Sequence, residues 1–214
     1  MSADVSAVVH RHLLPALWLA WVLYWWFSSR DVKATLRRES ALSRLMHLGP
    51  MFLAAAILWA SRLGVPLLDA RWLPRTPWAF WIGAAVTLGG LAFSIWARRH
   101  LGRNWSAVVT LKQGHELVTS GPYALVRHPI YTGLLLAFLG SAIARGRWSG
   151  LLATALFFLA ALRKYRLEER WMREQFGAEY VTYQARVKAI VPWVFCPWPP
   201  PRRAQVARRR PPEH

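Results

Sequence analysis

The chain has a single cysteine, Cys196, so no disulfide can form within it and redox compartment leaves no mark on its composition. Cys196 stands in a Pro/Trp stretch with no histidine nearby, which argues against a thiol nucleophile. Charge is scarce and one-sided: charged residues make up 18%, with 10 acidic against 28 basic and a net charge of +18. Lysine is nearly missing. Lys33, Lys112, Lys164 and Lys188 stand against a large excess of arginine, which points to a GC-rich bacterial genome. His10, His12, His47, His100, His115 and His128 lack metal-ligand spacing, so no metal centre is expected. No basic n-region precedes the first apolar run and no small-residue cleavage motif follows it, so a cleavable signal is not expected. The final Pro-Pro-Glu-His is not a prenylation box. There is no internal repeat.

What the chain does have is apolar length. Hydrophobic residues reach 55%, with 14 tryptophans, whose amphipathic rings suit membrane interfaces. Three runs, Leu13 to Phe27, Leu45 to Leu63 and Trp78 to Ala97, each approach the ~20 residues needed to cross a bilayer. Two shorter runs, Ile130 to Ile143 and Trp148 to Ala161, flank Ala144-Arg145-Gly146-Arg147 and read as a helical hairpin. The basic residues lie between these runs rather than alternating with aromatics, a pattern of membrane-protein loops and not of nucleic-acid binding.

The loop after the first run carries Arg30, Lys33, Arg37, Arg38 and Arg44; the loop after the second carries Arg62, Arg71 and Arg75. The segments after the third and fifth runs are again strongly basic. By the positive-inside rule the N-terminus lies outside and the C-terminus in the cytoplasm, a parity that five crossings satisfy. The expected fold is an all-α integral membrane protein with about five transmembrane helices, in a bacterial inner membrane. One membrane-embedded domain is expected over 1–195, with 1–77 supplying two variable spans and 78–195 the catalytic core. Residues 196–214, rich in Pro and Arg, read as a disordered tail.

Polar chemistry falls in two blocks beside the hairpin. The first runs from Gly114 through His115, Glu116, Leu117 and Val118 to Gly121-Pro122-Tyr123, then through Arg127-His128-Pro129-Ile130-Tyr131. Pro129 excludes His128 from helical geometry and favours a helix start at itself. The N–H groups there suit a carboxylate or phosphate. The alternative is that Arg127, His128 and the tyrosines are interfacial anchors. The second block contains Arg163, Lys164, Glu168 and Glu169, then Phe176-Gly177-Ala178-Glu179-Tyr180 and Ile190-Val191-Pro192. Lys164 and Glu168, at i and i+4, share one helix face. A carboxylate near the membrane wants a cation, either a protein side chain or a ligand. The local alternative is a Lys164–Glu168 ion pair worth only ~0.3–0.5 kcal/mol.

His-x-Leu-Val-x-x-Gly-Pro-Tyr, Arg-His-Pro-x-Tyr-x-Gly, Glu-Glu, Phe-Gly-x-Glu-Tyr-x-x-Tyr and Ile-x-Pro follow one another over about residues 85–195. In this order the set resembles the isoprenylcysteine carboxyl methyltransferase family, to which phospholipid methyltransferases are related. The resemblance implies S-adenosyl-L-methionine as cofactor, bound by His115, Glu116, Leu117, Val118, Tyr123, His128, Pro129, Ile130, Tyr131 and Glu168. It places a further contact at Thr110, Leu111 or Lys112. It implies a catalytic and substrate-binding role for the position of Lys164, with Glu168 catalytic and Arg163 beside the substrate. Eukaryotic members of the family have arginine where this chain has Lys164; the charge is kept and the planar fork is not. The expected partner is a lipid or amphiphilic acceptor taking a methyl group in line, with no metal. Rival readings are a methyltransferase of phospholipid amines, thiols or phenolic lipids, a nicotinamide-dependent membrane reductase, and a non-catalytic scaffold.

Overall fold

A computed structural model describes residues 3–30, 35–60, 62–102, 110–112 and 117–191, with the backbone alone described for 3–7, 35–38 and 110–112. In chain order the elements are α1 (Ala3–Ser28), β1 (Thr35–Arg38), α2 (Ala41–Trp59), α3 (Pro66–Asp69), α4 (Pro77–Leu101), β2 (Thr110–Lys112), α5 (Pro122–Leu125), α6 (Pro129–Arg145), α7 (Trp148–Phe176) and α8 (Ala178–Arg186). The helical architecture expected from the apolar runs is present. The departure from it is an antiparallel ribbon in which Thr35 faces Lys112 and Arg38 faces Thr110. Strands this short carry no alternation long enough to be seen in sequence. The 196–214 tail lies outside the described residues.

Four of the five apolar runs lie within helices, the second outruns α2, which ends at Trp59, and elsewhere helical hydrogen bonding continues past the apolar residues. The α2 helix starts at Ala41 because Ser40 caps it, its Oγ accepting from the Ser43 N–H at 3.2 Å. The α7 helix continues from its apolar half through the charged second block to Phe176. Between α6 and α7, Gly146 takes a left-handed φ of +63° and closes the hairpin where the tight turn was expected.

The antiparallel pair α4 and α6 sits at the centre and touches backbone to backbone. Gly83, Thr87, Gly90 and Ser94 on α4 face Gly133, Ala137, Gly140 and Ala144 on α6. A Cβ placed on Gly90 would stand 2.4 Å from Gly133 O, and one on Gly83 would stand 2.4 Å from Ala144 N. Such stripes of small residues let helices approach where no water drives them together. Thr87 Oγ1 and Ser141 Oγ are 3.2 Å apart within this contact. Two α1 tryptophans lock onto it: Trp18 Nε1 donates to Ser141 Oγ at 3.0 Å and Trp21 Nε1 to Ser94 Oγ at 2.8 Å.

On the other side of α6, α2 and α7 close a core of Ala54, Leu58, Phe138, Ala153 and Phe157. The Phe138 and Phe157 rings stack at 4.5 Å. The outside is unusually greasy, with Leu19, Trp26, Phe52, Trp78, Leu88 and Leu159 all more than half exposed or nearly so. Among the described residues α2 and α4 are long and apolar enough to cross a membrane, and α6 is a shorter apolar helix.

Candidate functional site

The site gathers where α6 begins and α7 loses its apolar character. Pro129 opens α6, its fixed φ already helical and its missing N–H of no consequence there. His128 takes the cap position at φ −123°, ψ 61°. The stretch just after α8 grips this corner from behind. The Arg127 N–H donates to Lys188 O at 2.7 Å, the His128 N–H to Ala189 O at 2.9 Å, and Thr132 Oγ1 to Ile190 O at 2.7 Å. On α8, the Tyr183 hydroxyl donates to Tyr123 O at 2.6 Å.

Glu169 is the hub. Its Oε1 accepts from Arg127 Nε at 2.8 Å and from His128 Nε2 at 3.0 Å, and lies 2.7 Å from Arg127 Nη2. Its Oε2 accepts from Gln184 Nε2 at 3.0 Å. Arg127 also donates through Nη1 to Gln184 O and Val187 O. One carboxylate therefore ties α6, α7, α8 and the segment beyond through charge-assisted bonds.

Burial pushes the Glu169 carboxyl up, but His128 and Arg127 together outweigh it and hold the group below its ordinary 4.5. A carboxyl depressed in the folded state contributes stability that is complete above the unfolded value and is lost as pH falls through the folded one. The expected outcome is an apparent melting temperature that falls below about pH 5. In Glu169→Gln this acid-side slope should be flattened, as a pH series of thermal unfolding would show.

Glu168, the next residue, points about 100° away around the helix. Its side chain is 25% exposed, its Oε1 accepts from the Tyr131 hydroxyl at 2.7 Å, and its Oε2 lies 3.6 Å from His128 Nδ1. His128 fills the angle between the two glutamates, stacked on Tyr165 at 4.9 Å. Because a carboxylate only accepts, the Nε2 facing Glu169 carries the proton. One turn earlier, Lys164 is buried with Nζ 5.6 Å from the Tyr131 ring centroid. Tyr131 thus stands between Lys164 and Glu168. Arg163 turns instead to α2, where Nη1 donates to Ser43 O at 3.0 Å and to His47 Nδ1 at 3.2 Å. His47 Nε2 in turn lies 3.3 Å from Glu39 Oε1. Tyr123 is buried beside His100, and burial, reinforced by Glu168 and Tyr183, pushes its phenol well up.

Tyr123, His128, Pro129, Ile130, Tyr131, Lys164 and Glu168 therefore come to one end of the helices. Leu117 and Val118 lie half-buried just ahead of α5. His115 and Glu116 lie outside the described residues, and Thr110 to Lys112 form β2. Sequence reasoning did not single out Glu169, the clamp made by Arg127, or the Glu39–His47 pair. A signal was present: in a chain with only 10 acidic residues, each acid beside apolar runs has to find a cation. Among the described residues no group of three or more His, Cys, Asp or Glu could hold a metal ion.

Residues 78–179, which include nearly all of α4 and the whole of α6 and α7, match the phospholipid methyltransferase family. Over that segment the chain is similar to the family. It is 33% identical over 98 residues to protein-S-isoprenylcysteine O-methyltransferase B of Arabidopsis thaliana, covering 44% of this chain and 49% of the relative. To the cobalt-zinc-cadmium resistance protein CzcN of Cupriavidus metallidurans it is 36% identical over 112 residues, 50% of this chain and 49% of the relative. A methanethiol S-methyltransferase from a Pseudomonas species is 28% identical over 185 residues, 78% of this chain and 64% of the relative. The chain spans about half the length of the first two of these curated relatives.

Proposed function

We propose that the chain is an S-adenosyl-L-methionine-dependent methyltransferase of a lipid or amphiphilic acceptor, built as one membrane-embedded domain over 1–195. The observation that carries this reading is the corner where Glu168, Tyr131 and the start of α6 meet inside the segment matched to phospholipid methyltransferases. The donor set fits the cofactor by its chemistry. Glu168 offers a partly exposed carboxylate to a cation, and the first N–H groups of α6, at Ile130 and Tyr131, suit a carboxylate. Tyr123 adds an aromatic wall, and His115 to Val118 complete the proposed binding set. When bound, S-adenosylmethionine supplies an electrophilic methyl group on a sulfonium.

Tyr131 and His128 fix the orientation of Glu168, and Glu169 fixes His128. Lys164 stands where it can hold the polar end of an acceptor, whereas Arg163, bonded to Ser43 and His47 of α2, braces the helix behind it. Buried Tyr123, Val126 and Pro129 keep water from this corner. Catalysis then rests on positioning and water exclusion rather than on an acid–base dyad.

A thiol acceptor is a second reading. It is favoured by the methanethiol S-methyltransferase, whose match extends over 78% of this chain. Lys164 supports it too, since it lacks the fork with which arginine grips a carboxylate.

In this reading α1, α2, α4, α6 and the apolar half of α7 cross the membrane, with the site and C-terminus on the cytoplasmic side of a bacterial inner membrane. Only 17% of the apolar stretch of α2 and 44% of that of α4 is buried within the protein, which favours lipid contact over a soluble core. Methyl transfer from labelled S-adenosylmethionine to N-acetyl-farnesylcysteine, phosphatidylethanolamine and an alkyl thiol tests the proposal. Transfer to one of them is expected, with Lys164→Ala lowering kcat/KM about 10–100-fold, the worth of a hydrogen bond to a charged group. No transfer to any of the three would overturn it.

A further inference from the structure

At the end of the helices opposite Glu168, α1, α4 and the α6–α7 turn enclose a cavity of about 700 Å³. The 17 residues of α6 separate the two ends, roughly 25 Å of helix. The floor of the cavity is apolar, formed by Leu14, Trp59 and Phe80. Its rim is cationic, with Arg11, Arg71, Arg75, Arg145 and Arg147 all contributing to the lining, and among the described residues no Asp or Glu lines it. Asp69, the acid of neighbouring α3, accepts instead from the N–H groups of Leu63 and Gly64.

Two of the arginines are held in place by groups that carry no net charge. Arg71 donates from Nε to Leu73 O at 3.0 Å and from Nη1 to Arg145 O at 2.9 Å, and Arg145 donates from Nη2 to Ala60 O at 2.7 Å. Burial, together with Arg75 and Arg147, pulls the Arg71 pKa below its ordinary value. Such a rim suits an oxyanion with two free oxygens, such as a phosphodiester, which guanidinium forks recognise bidentately. At the same end Trp78, Trp81 and Trp148 are 54%, 45% and 43% exposed. Exposed tryptophans mark the depth of lipid headgroups.

We propose that this cavity binds the phosphate headgroup of an anionic phospholipid. The apolar floor and the tryptophan belt favour a lipid over free phosphate. The site stands apart from methyl transfer, so its failure would leave that reading intact, and the reverse also holds.

Arg11 and Arg75 are exposed, and removing them leaves the tie between Arg71 and Arg145 untouched. Native mass spectrometry of the full chain in detergent would compare retention of phosphatidylglycerol and phosphatidylcholine. The wild type is expected to prefer phosphatidylglycerol about tenfold. Arg11→Gln/Arg75→Gln should lose most of that preference. Arg166→Gln/Arg170→Gln, which removes the same charge from exposed positions on α7 at the Glu168 end, should keep it. An equal fall in both double variants would reduce the effect to bulk charge and overturn the site. So would an unchanged preference in Arg11→Gln/Arg75→Gln. Complete displacement of the lipid by millimolar inorganic phosphate would overturn its identification as a lipid site.

Discussion

Replacing Glu169 by alanine is expected to destabilise the protein by about 3–5 kcal/mol, the loss that follows when one partner of a buried ion pair is removed. The Glu169 and Arg127 side chains are only 9% and 12% exposed. Arg127 would keep its bonds to the Gln184 and Val187 carbonyls but lose its counter-charge, and His128 would lose the acceptor for its Nε2 proton. Thermal unfolding in detergent reads the loss. Because Arg127 and Glu169 act as a unit, Arg127→Ala/Glu169→Ala should cost less than the two single losses added together. Simple additivity would deny the coupling. Glu169 would then be a surface-like acid with incidental neighbours.

The second large effect is expected at Gly90. Over-packing a filled contact usually costs about 1–3 kcal/mol, and Gly90→Leu belongs at or above the top of that range. Its new Cβ would meet the backbone of α6, with Gly133 O at 2.4 Å and Ala137 N at 2.6 Å, and backbone cannot swing aside as a side chain can. Forcing α4 and α6 apart also displaces the start of α6, so the His128–Tyr131 corner should lose its geometry. The control is one residue away: a Cβ on Gly89 meets nothing within 4 Å. Gly89→Leu should be neutral or stabilising by up to about 1 kcal/mol, since glycine is a poor helix former. Similar melting temperatures for the two variants would mean that close helix contact does not hold this pair together.

Much of this architecture could be read from the sequence because its signals are long. The apolar runs locate the helices, and Pro129 marks the start of α6. The Lys164–Glu168 spacing puts both residues on the α7 face that meets Tyr131. Other features leave short or ambiguous signals. Glu168 and Glu169 are neighbours in sequence, and only the turn of the helix separates the residue facing Tyr131 from the one clamped by Arg127. The β1–β2 ribbon pairs segments more than seventy positions apart through strands of four and three residues. The glycine stripe is visible in the sequence as Gly83, Gly90, Gly133 and Gly140, but it reads as a contact only once α4 and α6 are known to be antiparallel partners. The Glu39–His47–Arg163 chain joins the loop before α2 to α7, a pairing that no local pattern announces.

Glu168 and the start of α6 are expected to hold the ammonium and carboxylate of the cofactor, groups that its demethylated product keeps. Calorimetric titration of the full chain in detergent with S-adenosylhomocysteine tests this most directly, run beside Glu168→Gln and the outward-facing Gly89→Leu. The wild type and Gly89→Leu should bind alike. Glu168→Gln, still folded by its melting temperature, should bind about 10–100-fold more weakly, as expected when a hydrogen bond to a charged group is lost. Undiminished binding by Glu168→Gln, or no binding by folded wild-type protein, would contradict the account.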